Sequence, residues 1–565
     1  MKNFVKLSFT LALAVLTLSG CNCFKKMAKN LDDVTVTCTP EVLTLNNGKV
    51  AATVAVSFPA GYFDEDATVK ITPVLVYEGG ESAATPYYYQ GEDVEDNYKV
   101  LSSTSTGATE DIEFAYTPEM RRSTLQLRVE VKCKDEFEVI NLNTGKVLDD
   151  GETAQDAGYN IAEGINTLQS DLRPQDVMTM MESGYKRVTN SVEKSDLMYT
   201  ISSSTVSSKA LSAESVKAFQ ALVDENSNND RATQKLSAQG YASPDGPVKF
   251  NDKLSKSRSE SGKKAMEKLL KDYGLAIDAS SYGEDWEGFK ELVEASNIED
   301  KNLILQVLSL YSSSTQREEE IKNMAAVFST LKSEVLPQLR RTKMVNSVDL
   351  VGKSDEEMMA LVSAKNYDAL TLLEILHLCN KVVKDCETKT TLLAYVTDKY
   401  NDGVAYNNYG VVLAKQGKGE DALAAFKKAA ELGVSDREVG NNLALAYMML
   451  GDTESAAPYV RRATSQTKAM FAAMNGDYTA ASTELKGLNK AIALVQLGQY
   501  DAAKSAIDCE CAEGDYLRAV IASLQGDVKS AQTQLESAIS KKACLKEKAA
   551  TDVNLLNLFE SGYTL

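Results

Sequence analysis

Residues 407–429, NNYGVVLAKQGKGEDALAAFKKA, and residues 441–463, NNLALAYMMLGDTESAAPYVRRA, are offset by 34 positions and carry matching side chains in matching slots. Gly410 aligns with Ala444, Leu413 with Tyr447, Ala422 with Ala456, Phe426 with Val460 and Ala429 with Ala463. Small residues where two helices cross closely, with large ones between them, mark a helix pair that repeats. A shorter signature, glycine with alanine five positions on, occurs at Gly417/Ala422, Gly451/Ala456, Gly476/Ala481, Gly498/Ala503 and Gly526/Ala531. The last three offsets are shorter than 34, which predicts trimmed helices there. Each pair buries its apolar face only against the next, so the array acts as one body. Residues 370–400 carry two amphipathic stretches and are read as its cap.

The repeat resembles the TPR family, although Val434 stands where the family places proline at the end of the first unit. The resemblance implies an all-α TPR solenoid over 355–565 with a concave groove for a peptide or protein client. Asn407, Asn408, Asn441 and Asn442 fall on the first helix of successive pairs and are candidate groove residues. A primary amide both donates and accepts, which suits paired bonds to an extended peptide backbone. Simple solvation of a polar helix face is the competing reading.

Upstream the pattern changes. Residues 197–203 read as a strand, 212–225 as a helix, 236–240 as a strand and 254–272 as a helix, which predicts a compact α+β domain. After the second strand comes Gly240-Tyr-Ala-Ser243-Pro-Asp-Gly246, then Asn251, Leu254-Ser255 and Arg258. These positions resemble the signature of OmpA-like peptidoglycan-binding domains. Tyr282-Gly283-Glu284 and Leu339-Arg340-Arg341-Thr342 are similar to the family's later turn and last strand, leaving a helical insertion at about 286–335. The resemblance implies an OmpA-like domain over 191–352 in which an Asp and the helix Arg hold the ammonium and carboxylate of a stem-peptide diamino acid. An Arg–carboxylate contact of that kind is bidentate. Here Arg258 is kept but Ser243 occupies the Asp position, and a hydroxyl does not replace a carboxylate facing an ammonium. Either Asp245 supplies the charge from the same loop, or the ligand is lost or changed. Ser243, Asp245, Asn251 and Arg258 are the candidate peptidoglycan-binding residues.

Residues 34–148 read as an N-terminal β-sandwich, Ig-like in its strand spacing. Residues 50–58, 69–77 and 125–131 are rich in β-branched side chains, with Pro59-Ala60-Gly61 and Gly79-Gly80 as turns. Residues 149–190, rich in Gly, Asp and Asn over 149–172, read as a linker.

The chain begins with Lys2 and Lys6, an apolar run at 11–18, and Leu18-Ser19-Gly20-Cys21. That run is too short to span a bilayer. The segment resembles a bacterial lipobox. The resemblance implies that 1–20 is a signal peptide, that Cys21 is acylated (palmitate among its chains), and that 21–33 is a tether. Several acyl chains hold a protein at a membrane far better than one. The arrangement resembles Bacteroidota-type lipoproteins, in which acids after the Cys favour surface export. None follows Cys21 here, so an outer-membrane anchor facing the periplasm is expected, with the cell surface as the other possibility. Among the remaining cysteines, Cys38 and Cys133 bracket the β region as the expected pair, and Cys509-x-Cys511 lacks the partners of a structural zinc site.

The formal net charge is −19, and −21 once residues 1–20, with two lysines and no acid, are removed. A nucleic-acid partner, which needs a basic face, is excluded on this balance. The single histidine, His377, lies in an apolar helix, and no nucleophile–base pair, metal cluster or phosphate loop is apparent. Neither catalysis nor a cofactor or metal is expected. The expected function is a non-enzymatic scaffold coupling outer membrane, peptidoglycan and a protein client. The alternative is an accessory or assembly factor for a surface or secretion complex, with a degenerate OmpA-like domain.

Overall fold

The computed structural model describes residues 22–133, 137–148, 153, 155–434 and 436–565. The signal segment, Cys21 and the first residues of the expected linker lie outside them. The chain forms two compact units, one of residues up to Ser183 together with Val383–Leu565, the other Gly184–Val382.

The first unit starts with two sheets around one core. One sheet has the order Ile165–Asn166, Thr35–Asn46, Lys49–Ser57, Gly107–Ala115. The other is built on Thr68–Tyr77 and Thr124–Lys132, flanked by Phe137–Asn141, Tyr87–Gln90 and shorter strands. Alternate residues face inward, so Val50, Val54, Ile112 and Phe114 of one sheet meet Ile71, Leu75, Leu125 and Leu127 of the other. Tyr159–Glu163 pairs with Thr124–Lys132, and Ile165–Asn166 pairs in parallel with Thr35–Asn46. The sandwich therefore runs to 166 rather than ending at 148.

Two N-terminal expectations are corrected. The tether is largely a helix, Asn22–Lys29, whose Cys23 and Met27, one turn apart, are buried in the sandwich core. The disulfide joins Cys133 to Cys23, not to Cys38, with a Cα–Cα distance of 6.1 Å. Cys38 stays a buried free thiol whose pKa burial pushes up to about 11. A second disulfide links Cys509 and Cys511.

The C-terminal part is a stack of antiparallel helix pairs: Gly403–Lys415 with Gly419–Glu431, Asp436–Met449 with Thr453–Val460, Ser465–Met474 with Thr479–Glu484, Gly487–Gln496 with Tyr500–Ala506, and Ala512–Leu524 with Val528–Lys541. All five signature glycines sit in the turn within a pair, at φ between +71° and +87°, a region that side chains disfavour. All five signature alanines are fully buried where the helices cross. The second helices of the third and fourth pairs have only 6 and 7 residues, against 13 in the first. Of the expected cap, Cys386–Tyr400 packs in this unit, whereas Leu372–His377 belongs to the other. The stack therefore does not start at 355.

The second unit is a four-stranded sheet in the order Val188–Met198, Arg341–Val351, Ala232–Ala242, Ile277–Glu284. Only the last two strands are parallel. Its first strand begins at Val188, inside the expected linker. Helices Glu214–Ser227 and Val248–Leu269 bury Val216, Phe219, Val223 and Met266 against Leu197, Leu236, Ala238 and Met344. The insertion, Trp286–Ala295 to Ala325–Glu334, has its own core around Phe289, Ile304 and Leu331. Gly240 lets the long helix lie flush on its strand, because a Cβ there would meet Ser255 O at 2.1 Å and Ser259 N at 2.5 Å. Both are backbone atoms and cannot rotate away. Gly240→Ala is therefore expected to destabilise this unit by about 1–3 kcal/mol, checked by urea unfolding.

Candidate functional site

The strand Ala232–Ala242 delivers the 243–246 loop to the start of helix Val248–Leu269. Ser243 Oγ donates to Asp245 Oδ1 at 2.6 Å, and Arg340 Nη2 pairs with Asp245 Oδ2 at 3.2 Å. Arg340 Nε also donates to Ser243 Oγ at 3.3 Å. Asn251 Nδ2 donates to Ser243 O, Gly246 O and Glu284 Oε1, so this side chain staples the loop.

Arg258 is fully buried. Its Nε donates to Ser203 O at 2.9 Å, Nη1 to Tyr241 O at 2.9 Å and Nη2 to Thr200 O at 3.4 Å. The guanidinium lies 5.2 Å from the Tyr199 ring centre. Burial pushes its pKa down to about 10, and burial raises that of the Tyr199 hydroxyl. Among the described residues no carboxylate is hydrogen-bonded to or ion-paired with Arg258. The four sequence candidates are thus brought close together, but the one carboxylate is paired with a protein arginine and the helix arginine faces backbone carbonyls.

Sequence reasoning missed Arg340 as a loop partner. It read Arg340-Arg341 only as a strand opening, whereas each arginine has its own acid: Asp245 for Arg340, and Asp285 and Asp196 for Arg341 at 2.7 and 2.8 Å. His377 contacts Asp355 Oδ1 through Nε2 at 2.9 Å and lies against the Tyr185 ring. Among the described residues no group of three or more His, Cys, Asp or Glu side chains is placed to hold a metal.

Two of the four candidate asparagines, Asn408 and Asn442, bind peptide backbone, and that backbone is the chain's own. Residues 166–183, expected as part of a linker, run along the stacked first helices as a strap. Asn408 Oδ1 accepts from Met181 N at 2.7 Å and its Nδ2 donates to Met181 O at 3.0 Å. Asn442 does the same for Thr179 at 3.2 and 2.9 Å. Asn407, fully buried, links the two, donating to Asn408 Oδ1 at 3.1 Å and accepting from Asn442 Nδ2 at 2.8 Å. Asn441 is placed elsewhere: its Oδ1 accepts from Thr464 N at the start of the next helix.

Asn489 is a third clamp, unrecognised from the sequence, bonding the N–H and C=O of Arg173 at 2.7 and 3.0 Å. It stands 47 residues after Asn442, outside the 34-residue register. Counted back from the turn glycine, however, Asn408, Asn442 and Asn489 each stand nine residues before Gly417, Gly451 and Gly498. Leu168 and Leu172, just before the Arg173 clamp, and Met178, just before the Thr179 clamp, pack into the repeat core. Gln169 Nε2 donates to Ala473 O and Asn46 Oδ1, joining sandwich, strap and stack.

Solved structures similar to this one include YrrB, described as a TPR protein with an unusual peptide-binding site (17% identity, 37% of this chain and 100% of that one, TM-score 0.18). A tetratricopeptide repeat protein from Parabacteroides merdae shares 13% identity over 48% of this chain and 99% of that one, TM-score 0.26. The Cut9–Hcn1 hetero-tetramer of the APC/C gives 14%, 56%, 64% and 0.21. No protein-family model and no curated protein matches the chain. At these scores the likeness adds nothing to what the helix pairs themselves display.

Proposed function

We propose that this chain is a non-enzymatic envelope lipoprotein, anchored to the outer membrane through Cys21 and facing the periplasm, that acts as an accessory or assembly factor for a surface or secretion complex. In this reading the 184–382 unit is an OmpA-like domain that keeps its frame and no longer takes a peptidoglycan stem peptide. Arg258 carries the reading: three of its five N–H donors go to the carbonyls of Thr200, Ser203 and Tyr241, and full burial closes the guanidinium to a bidentate ligand. The loop carboxylate that an ammonium would seek, Asp245, is paired with Arg340. The TPR-like stack serves as a protein-interaction scaffold whose clamps are filled in cis, so a client reaching Asn408 or Asn442 has to displace the strap. His377, engaged by Asp355 and Tyr185, has a structural part.

The test is sedimentation with purified peptidoglycan sacculi, using the chain from Asn22 onward and its Asp245→Asn and Arg258→Lys variants. The chain is expected to stay in the supernatant. Pelleting that free stem-peptide diamino acid competes away, and that either variant weakens, overturns the reading in favour of a scaffold coupling outer membrane to wall. Palmitate labelling lost in Cys21→Ser tests the anchor.

A further inference from the structure

The sandwich core is not filled. Between its two sheets lies a cavity of about 130 Å³. Val36, Val56 and Ala108 of one sheet and Ile71, Leu127 and Val131 of the other are among its walls. Met27 and Ala28 of helix Asn22–Lys29, which belongs to neither sheet, line it as well. Among the described residues that line it none is charged.

Protein interiors are packed as closely as organic crystals and seldom hold voids larger than a water. An empty cavity also costs stability in proportion to its volume. An apolar cavity of about 150 Å³ stays dry and admits benzene, so this one has room for roughly six carbons. Packed sheets stand about 10 Å apart, so the space between them is a slot that favours a slender chain over a ring system.

We propose that the slot between the sheets is a binding site for the end of one aliphatic chain, about six carbons of a lipid's acyl tail. The site follows from the cavity, its uncharged walls and the separate helix that completes it, so it stands whether or not Cys21 is lipidated. Two sources offer that chemistry: an acyl chain on Cys21, next to the wall helix in sequence, or a separate membrane lipid.

The probe is cis-parinaric acid, which fluoresces on entering an apolar site, added without detergent to the chain from Asn22 onward. Saturable 1:1 binding in the micromolar range is expected. Ala108→Phe and Val129→Phe, at wall positions on opposite sheets, fill the slot and are expected to weaken binding at least tenfold while keeping or raising the thermal midpoint. No saturable binding, or undiminished binding by folded filled variants, overturns the proposal. A diazirine-bearing fatty acid, photolysed on the unmodified chain, gives a readout independent of those variants. Adducts on strands Lys49–Ser57, Thr68–Tyr77 and Thr124–Lys132 support the site, and adducts confined to the surface refute it. In cells fed diazirine-palmitate, cavity peptides joined to the Cys21 peptide identify the anchor as the source, and peptides carrying a free lipid mass identify a separate lipid.

Discussion

Replacing Asn408 and Asn442 together by alanine is expected to release the strap and to lower the stability of the sandwich–repeat unit by about 4 kcal/mol. Four bonds to the backbone of Thr179 and Met181 disappear. A net contribution of about 1 kcal/mol each is ordinary for neutral bonds. The change also strips Asn407 of both its amide partners in a fully buried position, and an orphaned buried group costs about 1–3 kcal/mol. Water entering beside the exposed Thr179 recovers part of that, and contacts in one network do not add. Adding Asn407→Ala removes the orphan, so the triple variant is expected to regain stability over the double. Amide exchange at Thr179 and Met181 and proteolysis within 166–183 read the release directly. Protection unchanged in the double variant would show that the apolar anchors hold the strap unaided.

Breaking the Cys23–Cys133 disulfide is expected to cost a similar amount. The bond closes a loop with a sequence separation of 110. On the chain-entropy account, a loop of about 100 residues contributes about 4.7 kcal/mol. Cys133→Ser, or reductant applied to the unmodified chain, should lower the urea midpoint of the sandwich by the same step. Reductant should then shift the sandwich of the variant little further, because the Cys509–Cys511 bond that remains has a sequence separation of only 2. Cys38→Ala separates this pairing from the one read from the sequence: its stability should remain reductant-sensitive. A reductant-insensitive unmodified chain would mean the bond contributes nothing.

What was legible was what local chemistry dictates. A helix pair that crosses closely needs glycine in its turn and alanine at its contact, so Gly417 and Ala422 announce themselves within six residues. Asn408 and Asn442 were readable as backbone-binding amides for the same reason. Their ligand was not, because the bond from Thr179 to Asn442 spans 263 residues and nothing near either end signals it. Leu168, Leu172 and Met178 stand four and then six residues apart with Pro174 between them, so no sustained amphipathic run marks the strap, and it read as a linker. At the 243–246 loop, Arg340 reaches Asp245 only through the pairing of Arg341–Val351 with Ala232–Ala242, which no motif of the loop encodes. The N-terminal helix did leave a trace: Cys23 and Met27 stand four apart, the spacing of one buried helix face.

The strap also fixes an order of events during synthesis. A chain emerging N-terminus first completes the sandwich strand at Ile165–Asn166 early, yet the partners of Met181, Thr179 and Arg173 follow only 227, 263 and 316 residues later. The whole of Gly184–Val382 is made in between. The helix pairs close local contacts quickly once they exist, but pairing across such separations is slow, and unpaired apolar segments are where incomplete chains aggregate. The strap therefore works as a completeness check. A chain cut anywhere before Asn489 lacks the side chain that holds the Arg173 backbone, and one that reaches past it can close the strap.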